Sequence, residues 1–378
     1  MRDHYDVAIV GGGIVGLAHA WSAAKRNLRV ILCERSPVAR GASVRNFGMI
    51  WPIGQPAGPS YEIALRSRAL WLELGKAGVL DVESCGSVHL AHREDELAVL
   101  EEFAGAGTHD VRMLTPEQTT TKSSLANPNG LLGAMESQSE LRVDPRTASS
   151  RLAVWLSETY DTELHFSTPV VAMDGTTIQA SDGRTWRAEQ VVICSGSDLS
   201  TLLPEVFRDS GLKTCKLQML RSSPQPHSAA SPPHIASGLT LRHYTSFEQC
   251  PTHAALRNRI ATETPELDRY GIHVMASQFP GGEVILGDSH EYGEDITPFD
   301  NSEIDDLIIR ELRRVIRLSS WEMSQSWHGV YAKHPSSPVF RASVNNHVHV
   351  CTGTGGAGMT MSFGLAEESW SQWLGETN

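Results

Sequence analysis

Residues 7–16 read Val-Ala-Ile-Val-Gly-Gly-Gly-Ile-Val-Gly, an apolar run that passes directly into a glycine-rich turn. Residues 17–25 then follow an amphipathic helical pattern, and residues 28–33 form a second apolar run that ends at Glu34. A buried strand, a tight turn, a helix and a second buried strand in this order are typical of a nucleotide-binding unit. The N-terminal segment therefore predicts an α/β domain built on a parallel sheet.

The spacing Gly11-x-Gly13-x-x-Gly16 gives each glycine a physical task. Gly11 permits the sharp turn, Gly13 lets a pyrophosphate approach the backbone, and Gly16 lets the helix pack closely against the strand. The first turn of the helix offers free N–H groups and the positive end of its dipole to the phosphates. Glu34, 18 residues after Gly16, is placed to accept hydrogen bonds from an adenosine ribose.

The composition is that of an ordinary globular protein, with 378 residues, 40% hydrophobic and 20% charged. The net charge of −12 argues against a nucleic-acid or anionic-membrane partner, although a small anionic substrate could still meet a local basic pocket. The six cysteines form no CxxC motif and fit a reducing compartment. No apolar run is long enough to cross a bilayer, and we expect a cytoplasmic enzyme. Among 16 histidines only His347-x-His349 has ligand-like spacing, so no metal is predicted.

The hydrophobic pattern of the chain changes after the nucleotide unit. Continuous apolar strands such as residues 190–194 give way, from about residue 216, to alternating strands separated by Pro-rich and Ser-rich turns. The pattern predicts an α/β nucleotide domain interrupted by an antiparallel sheet domain. We assign residues 1–84, 144–215 and 324–378 to the first domain, and residues 85–143 and 216–323 to the second.

Four blocks in order along the chain resemble the FAD-dependent oxidases of the D-amino-acid oxidase, glycine oxidase and sarcosine oxidase superfamily. They are residues 11–34, residues 41–50 (Gly-Ala-Ser-Val-Arg-Asn-Phe-Gly-Met-Ile), residues 191–196 (Val-Val-Ile-Cys-Ser-Gly), and a pair formed by 327–331 (Trp-His-Gly-Val-Tyr) and 351–360 (Cys-Thr-Gly-Thr-Gly-Gly-Ala-Gly-Met-Thr). The resemblance implies the two-domain fold of D-amino-acid oxidase, a Rossmann-like FAD domain interrupted by a substrate domain. Residues 45–54 also resemble a branch of that superfamily associated with aminophosphonate breakdown.

The resemblance implies that FAD is the cofactor, held without a covalent bond, because no Cys or His matches the attachment positions of some relatives. The helix that begins near Thr360 would direct its N-terminus at the flavin pyrimidine and stabilise negative charge there. Val171 would cover the adenine. The residues expected to contact the cofactor are Gly11, Gly13, Ile14, Val15, Gly16, Glu34, Arg35, Ala42, Ser43, Arg45, Asn46, Phe47, Gly48, Met49, Val171, Cys194, Ser195, Gly196, Gly329, Gly355, Gly356, Gly358, Met359 and Thr360.

Two positions depart from the family pattern. Relatives that oxidise α-amino acids carry an arginine in a Trp-x-Gly-x-Arg motif, where its guanidinium binds the substrate carboxylate in a bidentate manner. This chain has Tyr331 there, and it has Gly356 where glycine oxidase carries a second arginine. The substrate anion must therefore meet other groups.

Candidate substrate residues lie near the ends of predicted strands. We expect Arg242 and Tyr244 to face one side of a strand over residues 239–244, with His243 on the other. The full set is Trp51, Arg242, His243, Tyr244, His290, Tyr331 and Lys333. Tyr331, Tyr244 and Met359 are the residues expected at the reacting atoms.

The resulting interpretation is oxidation of a primary or secondary amine by hydride transfer to flavin N5, with O2 reduced to H2O2. An apolar pocket would favour the neutral amine, so no dedicated base is needed. The leading substrates are 2-aminoethylphosphonate and its N-methyl derivative. Alternatives are a glycine, sarcosine or D-amino-acid oxidase, a dehydrogenase with another electron acceptor, an NAD-dependent dehydrogenase, and a non-catalytic FAD-fold binding protein.

Overall fold

The computed structural model of the protein describes residues 4–226, 232–294 and 296–376. Its helices, in chain order, are α1 (Ile14–Lys25), α2 (Pro59–Lys76), α3 (Glu94–Gly105), α4 (Pro116–Lys122), α5 (Pro145–Tyr160), α6 (Pro204–Arg208), α7 (His253–Glu263), α8 (Pro265–Arg269), α9 (Ser302–Val315) and α10 (Gly358–Leu374). Its strands are β1 (His4–Val10), β2 (Val30–Cys33), β3 (Met49–Ile50), β4 (Val82–Glu83), β5 (Ser87–Ala91), β6 (Val111–Leu114), β7 (Gly133–Ser137), β8 (Leu141–Val143), β9 (Glu163–His165), β10 (Val170–Asp174), β11 (Thr177–Ala180), β12 (Thr185–Ile193), β13 (Lys213–Ser222), β14 (His234–Ala236), β15 (Met275–Gln278), β16 (Val284–Gly287), β17 (Glu291–Gly293), β18 (Met323–Lys333), β19 (Phe340–Asn345) and β20 (Val348–Thr352).

The first sheet has a parallel centre in the order β20-β12-β1-β2-β9, to which β10, β11 and β19 add antiparallel pairs. Val10 at the end of β1 lies opposite both Cys33 of β2 and Ile193 of β12. Because these three strands are parallel and end at one level, the residues that follow them meet at one edge of the sheet. In such sheets the ligand binds at that carboxyl edge.

The second sheet has nine strands in the order β17-β13-β16-β15-β14-β5-β7-β6, with β18 paired to β13. All of its pairs are antiparallel except β14 with β5. A small third sheet, β3-β8-β4, lies between the loop after β2 and the start of α5. The combination of an α/β sheet with a separate antiparallel sheet confirms the fold class predicted from the sequence, whereas the division of the chain into five domain segments stays a prediction.

Three buried apolar clusters hold these layers together. One covers a face of the parallel sheet and contains α1 and α10, a second covers its opposite face, and the third lies against the antiparallel sheet. Helix α1 is buried almost throughout, which agrees with a Gly- and Ala-rich helix that packs directly on the sheet. Trp71 of α2 donates to the Met359 carbonyl oxygen at 2.9 Å, so α2 supports the first turn of α10. Over the described ranges, no helix combines the length and apolar character needed to cross a membrane.

The local structure departs from the sequence-based expectations at three places. Residues 239–244, predicted as a strand, form a 3-10 helix at Gly238–Arg242. The apolar strand predicted at residues 190–194 is the end of a longer strand, β12, which pairs antiparallel at its start and parallel at its end. Helix α7 was not predicted, because its buried apolar positions reduce to Leu256 and Ile260 and leave little amphipathic signal.

Candidate active site

A cavity of about 1120 Å³ opens at the carboxyl edge of the parallel sheet and extends to the antiparallel sheet. This volume lies above the roughly 300–1,000 Å³ usual for ligand pockets, so it suits a large ligand. Each predicted cofactor residue lies in the described part of the chain, and all except Gly48 line this central cavity. The predicted substrate residues line it as well, with the exception of Arg242. The blocks separated in sequence therefore converge on one space, while their contacts with a ligand stay predictions.

The glycine turn at the end of β1 is packed so tightly that side chains are excluded. Gly11 has φ +112°, and a Cβ there would collide with the Cys194 carbonyl oxygen. A Cβ at Gly16 would collide with the carbonyl oxygen of Gly11. This packing places the N-terminus of α1 at the cavity, where the N–H groups that follow Ile14 in the first turn and the positive end of the helix dipole suit a phosphate group.

Glu34 at the end of β2 has two functions in this geometry. Its Oε2 accepts a hydrogen bond from the Gly12 N–H at 2.7 Å, and its Oε1 accepts one from the Ser36 N–H at 2.9 Å. The carboxylate thus braces the glycine turn while it lines the cavity. Each carboxylate oxygen has a further lone pair available for a ribose hydroxyl.

An ion pair lies at the same end of the cavity. Arg35 Nη2 and Asp198 Oδ2 are 2.7 Å apart. Burial alone would raise the pKa of Asp198, but hydrogen bonds from the Thr201 hydroxyl and from the Ser200 and Thr201 N–H groups, with the charge of Arg35, lower it to about 2. Val171, whose side chain is 44% exposed, forms part of the rim.

The loop after β2 lies across the glycine turn. Ser43 Oγ accepts a hydrogen bond from the Ile14 N–H at 2.9 Å, and its hydroxyl hydrogen is free to point at an anion. Asn46 is occupied by its own loop, since it donates to the Ala42 and Ser43 carbonyl oxygens and accepts from the Gly48 N–H. Asn46 therefore fixes the loop, and only the second lone pair of its Oδ1 is left for a cofactor group that donates, so its bond to a phosphate or the flavin edge stays a prediction.

Gly48 is the predicted cofactor residue that the structure places outside the lining. Its φ is +71°, and a Cβ there would collide with the Val143 carbonyl oxygen. The glycine is required because β8 approaches closely at this point, not because a cofactor does.

The C-terminal glycine turn forms the opposite rim of the cavity. Helix α10 begins at Gly358, and its N-cap residue, Ala357, has no side-chain group that could cap the first N–H groups. The Thr360 hydroxyl accepts from the Trp51 N–H at 2.9 Å and ties this turn to the loop after β3. A Cβ at Gly356 would lie 3.8 Å from Tyr331 Oη. The two positions at which the family pattern has arginines are thus neighbours that face the same part of the cavity.

The wall formed by the antiparallel sheet is aromatic and polar. Trp51 and Tyr244 have ring centroids 6.2 Å apart, and Lys333 Nζ donates to Tyr292 Oη at 3.3 Å. Burial raises the pKa of the Tyr331 and Tyr244 hydroxyls, so both remain protonated donors at neutral pH. Burial also lowers the pKa of the Lys333 ammonium.

Arg242 requires a correction. Arg242 ends a 3-10 helix, in which successive side chains diverge by about 120°, and His243 follows as its C-cap, so the two do not alternate as they would in a strand. The Arg242 guanidinium pairs with Asp268 and donates to the Leu267 and Ile272 carbonyl oxygens, on the far side of His243 from the cavity. The prediction that Arg242 binds the substrate anion is therefore wrong in this structure.

A histidine cluster on this wall was not predicted as a group. The rings of His243, His273 and His290 have centroids 4.0–5.0 Å apart, and Asp288 lies beside two of them. Burial lowers the pKa of all three imidazoles, that of His290 to about 4, and raises the pKa of Asp288. Three separate segments supply these side chains, so sequence spacing carries no signal for His273 or Asp288.

These features fit FAD on the ground of shape and donors. The tightly packed glycine turn brings the N-terminus of α1 to the cavity where a pyrophosphate would bind, Glu34 offers acceptors at the ribose position, and the N-terminus of α10 supplies donors at the other rim. The cavity is long enough to connect these three points. The residues present thus suit a flavin dinucleotide better than a small substrate alone.

Comparison with known proteins agrees with this geometry. Residues 6–369 match the family described as DAO, FAD dependent oxidoreductase. A glycine oxidase of Geobacillus kaustophilus is 29% identical over 212 residues, 52% of this chain and 56% of that protein, and an N-methyl-L-tryptophan oxidase of Citrobacter koseri is 26% identical over 227 residues, 53% and 56%. The aligned part thus spans about half the length of these relatives.

Solved structures show the same fold. The crystal structure of glycine oxidase from Geobacillus kaustophilus superposes with a TM-score of 0.77 at 19% identity, covering 100% of this chain and 96% of that one. An L-α-glycerophosphate oxidase from Mycoplasma pneumoniae, solved with FAD bound, gives a TM-score of 0.78 at 18% identity and covers 100% and 96%. At these identities the likeness concerns the fold.

Proposed function

The chain belongs to the FAD-dependent oxidoreductase family, and from that premise we propose that it oxidises the C–N bond of a small amine that carries an anionic group other than a carboxylate. The leading substrate is 2-aminoethylphosphonate or its N-methyl derivative. The reaction converts the amine, O2 and water to an aldehyde, ammonia or methylamine, and H2O2.

The observation that carries this proposal is that Tyr331 and Gly356 lie next to each other in the cavity. A phenol and a hydrogen atom occupy the two adjacent positions where the family pattern has guanidinium groups. A carboxylate favours one bidentate fork, whereas a phosphonate offers three acceptor oxygens to several separate donors. The Tyr331 hydroxyl and the Lys333 ammonium are separate donors on one wall, and His243 and His290 lie beside them.

The reacting end of the substrate would meet the apolar side of the cavity. Trp51 and Met359, which are buried, and the partly buried Tyr244 line it, and they exclude water from the amine. Desolvation disfavours the ammonium form, so this surface lowers the amine pKa and keeps the nitrogen lone pair available. When bound, FAD supplies the two-electron acceptor, while these side chains orient the substrate carbon and keep the site dry.

A substrate panel tests this function. Purified protein with FAD is mixed anaerobically with 2-aminoethylphosphonate, N-methyl-2-aminoethylphosphonate, glycine, sarcosine, D-alanine or propylamine, and loss of flavin absorbance is followed. Peroxide release is then measured in air. We expect the two phosphonates to reduce the flavin fastest. Bleaching without peroxide would identify a dehydrogenase, preference for sarcosine would overturn the substrate, and no bleaching by any amine would favour a non-catalytic protein.

Three statements remain predictions from the sequence. O2 as the electron acceptor is tested by the peroxide assay. Non-covalent FAD predicts that acid releases all the yellow colour from the precipitated protein. The cytoplasmic location, and the absence of nucleic-acid and membrane partners, rest on composition and charge alone.

A further inference from the structure

We propose that His243, His273 and His290 bind a divalent transition-metal ion of the Zn²⁺ type on the wall of the central cavity, with one coordination position open to an oxyanion. One ligating atom from each imidazole lies within 4.8 Å of the other two, and all three side chains line the cavity. Three imidazole ligands with a fourth, open position form a common catalytic zinc arrangement.

The surroundings of His290 are those of a metal ligand. Its Nδ1 lies 3.1 Å from the Gly271 carbonyl oxygen, and because a carbonyl only accepts, Nδ1 carries the proton. Nε2 therefore presents its lone pair to the cluster. A hydrogen bond from the non-ligating nitrogen to a carbonyl is the usual device that fixes the tautomer and ring orientation of a metal-bound histidine.

Polar groups of the cluster remain unsatisfied. Both ring nitrogens of His273 and Oδ1 of Asp288 are buried with no hydrogen-bond partner in the described part of the chain. His273 Nε2 and Asp288 Oδ1 are 3.2 Å apart, yet their alignment does not meet hydrogen-bond geometry. Burying such groups without partners is unfavourable, and a bound ion would supply the missing partner.

The position of Asp288 decides which ion fits. Its carboxylate lies 3.2 Å from His273 Nε2 and 3.9 Å from His290 Nε2. A substrate anion bound directly to the imidazoles would lie close to this carboxyl group, which offers it no positive charge. A divalent cation is attracted by the carboxylate, and it can hold an oxyanion on its opposite side. Neutral imidazole is also a preferred ligand for Zn²⁺, Cu²⁺ and Ni²⁺.

The role of the ion depends on the proposed function, whereas ion binding itself does not. The open position would lie on the same wall as Tyr331 and Lys333. There the ion would replace the missing guanidinium groups as the charge that holds the substrate anion.

The test uses untagged protein with FAD, because a histidine tag would bind the probe. After treatment with a chelator, the protein is equilibrated with Zn²⁺, and bound zinc and FAD are measured per chain. We expect one zinc per chain, and His273→Gln and His290→Gln should each weaken zinc binding by more than the roughly 10–100-fold that loss of an outer-shell partner costs. Asp288→Asn should weaken it by about 10–100-fold.

His4→Gln is the matched control, because His4, Asp6 and Glu189 form another potential ligand group in the described residues, near the surface. This variant should bind zinc as the wild type does. FAD content and thermal midpoint identify a variant that has not folded, and either histidine variant alone is then sufficient. Absence of stoichiometric zinc in the wild type, or binding lost in His4→Gln and kept in His273→Gln, would overturn the proposal.

The same samples separate this proposal from the proposed function. If the wild type binds no zinc but 2-aminoethylphosphonate bleaches its flavin, the metal site is wrong and the amine oxidation stands. If the wild type binds zinc at the histidines but no amine bleaches its flavin, the metal site stands and the proposed amine oxidation is wrong.

Discussion

Tyr331→Phe removes a hydroxyl from the wall of the central cavity and leaves the ring in place. Tyr331 is buried, and burial keeps its hydroxyl protonated, so it can donate to the substrate anion. A hydrogen bond to a charged group contributes about 1.5–3 kcal/mol. Since about 1.4 kcal/mol corresponds to a tenfold change, we expect kcat/KM for 2-aminoethylphosphonate to fall by roughly 10–100-fold.

The loss should be selective, because the hydroxyl contacts the anion and not the reacting carbon. With propylamine, kcat/KM should change by less than about threefold. Peroxide release at matched FAD content measures both values. Tyr160→Phe is the control, because Tyr160 accepts a 3.4 Å hydrogen bond from Trp21 in the packing of α1 and lies outside the cavity lining. Equal losses on both amines, or no loss on the phosphonate, would refute an anion contact at Tyr331.

Three further variants test other contacts. Glu34→Ala removes the acceptor of the Gly12 N–H and the proposed ribose contact, so equilibrium dialysis should show FAD binding that is at least about tenfold weaker. An unchanged affinity for FAD would exclude the ribose contact. Arg242→Ala loses the ion pair with Asp268, so denaturant unfolding should show a free energy of unfolding lower by about 1–3 kcal/mol, while the KM for every amine stays unchanged. A KM that increases for the phosphonate alone would show that Arg242 does contact the substrate anion. The pKa of Asp198 is lowered to about 2, so the ionised group contributes about 2 kcal/mol of stability above pH ~4, and this contribution is lost as the pH falls towards 2. In Asp198→Asn the thermal midpoint should therefore fall less between pH ~4 and 2 than it does in the wild type. Parallel curves of thermal midpoint against pH for the two proteins would contradict this.

The nucleotide end of the site was predictable because the residues that form it lie close together in the sequence. The glycines of the turn act on their immediate neighbours, and Glu34 follows the next strand at a fixed distance. Close packing at Gly11 and Gly16 then produced the expected geometry. Gly48 shows the limit of this reasoning, because a glycine in a cofactor loop can be required by a neighbouring strand alone.

The substrate end was only partly predictable, because its residues are brought together by tertiary structure. His273 and Asp288 face each other through paired backbone groups, with hydrogen bonds of 3.2 and 2.8 Å between them, but 14 positions separate them in sequence. Arg242 was misplaced because alternating polarity over six residues fits a strand and a short 3-10 helix equally well. The 3-10 helix that replaces the predicted strand turns the Arg242 side chain out of the cavity and leaves its neighbour His243 inside.

The order of strands in the parallel sheet also has a consequence for biosynthesis. β1 is made first and lies at the centre of the sheet, yet its neighbour β12 ends at Ile193. At roughly 5–20 residues per second, one edge of β1 waits about 10–40 s for its partner on the ribosome. The glycine turn cannot close against the Cys194 carbonyl until then. The edge of β1 that will pair with β12 therefore stays unpaired for that interval. We expect fragments of the chain that end before β12 to aggregate or to remain bound to chaperones.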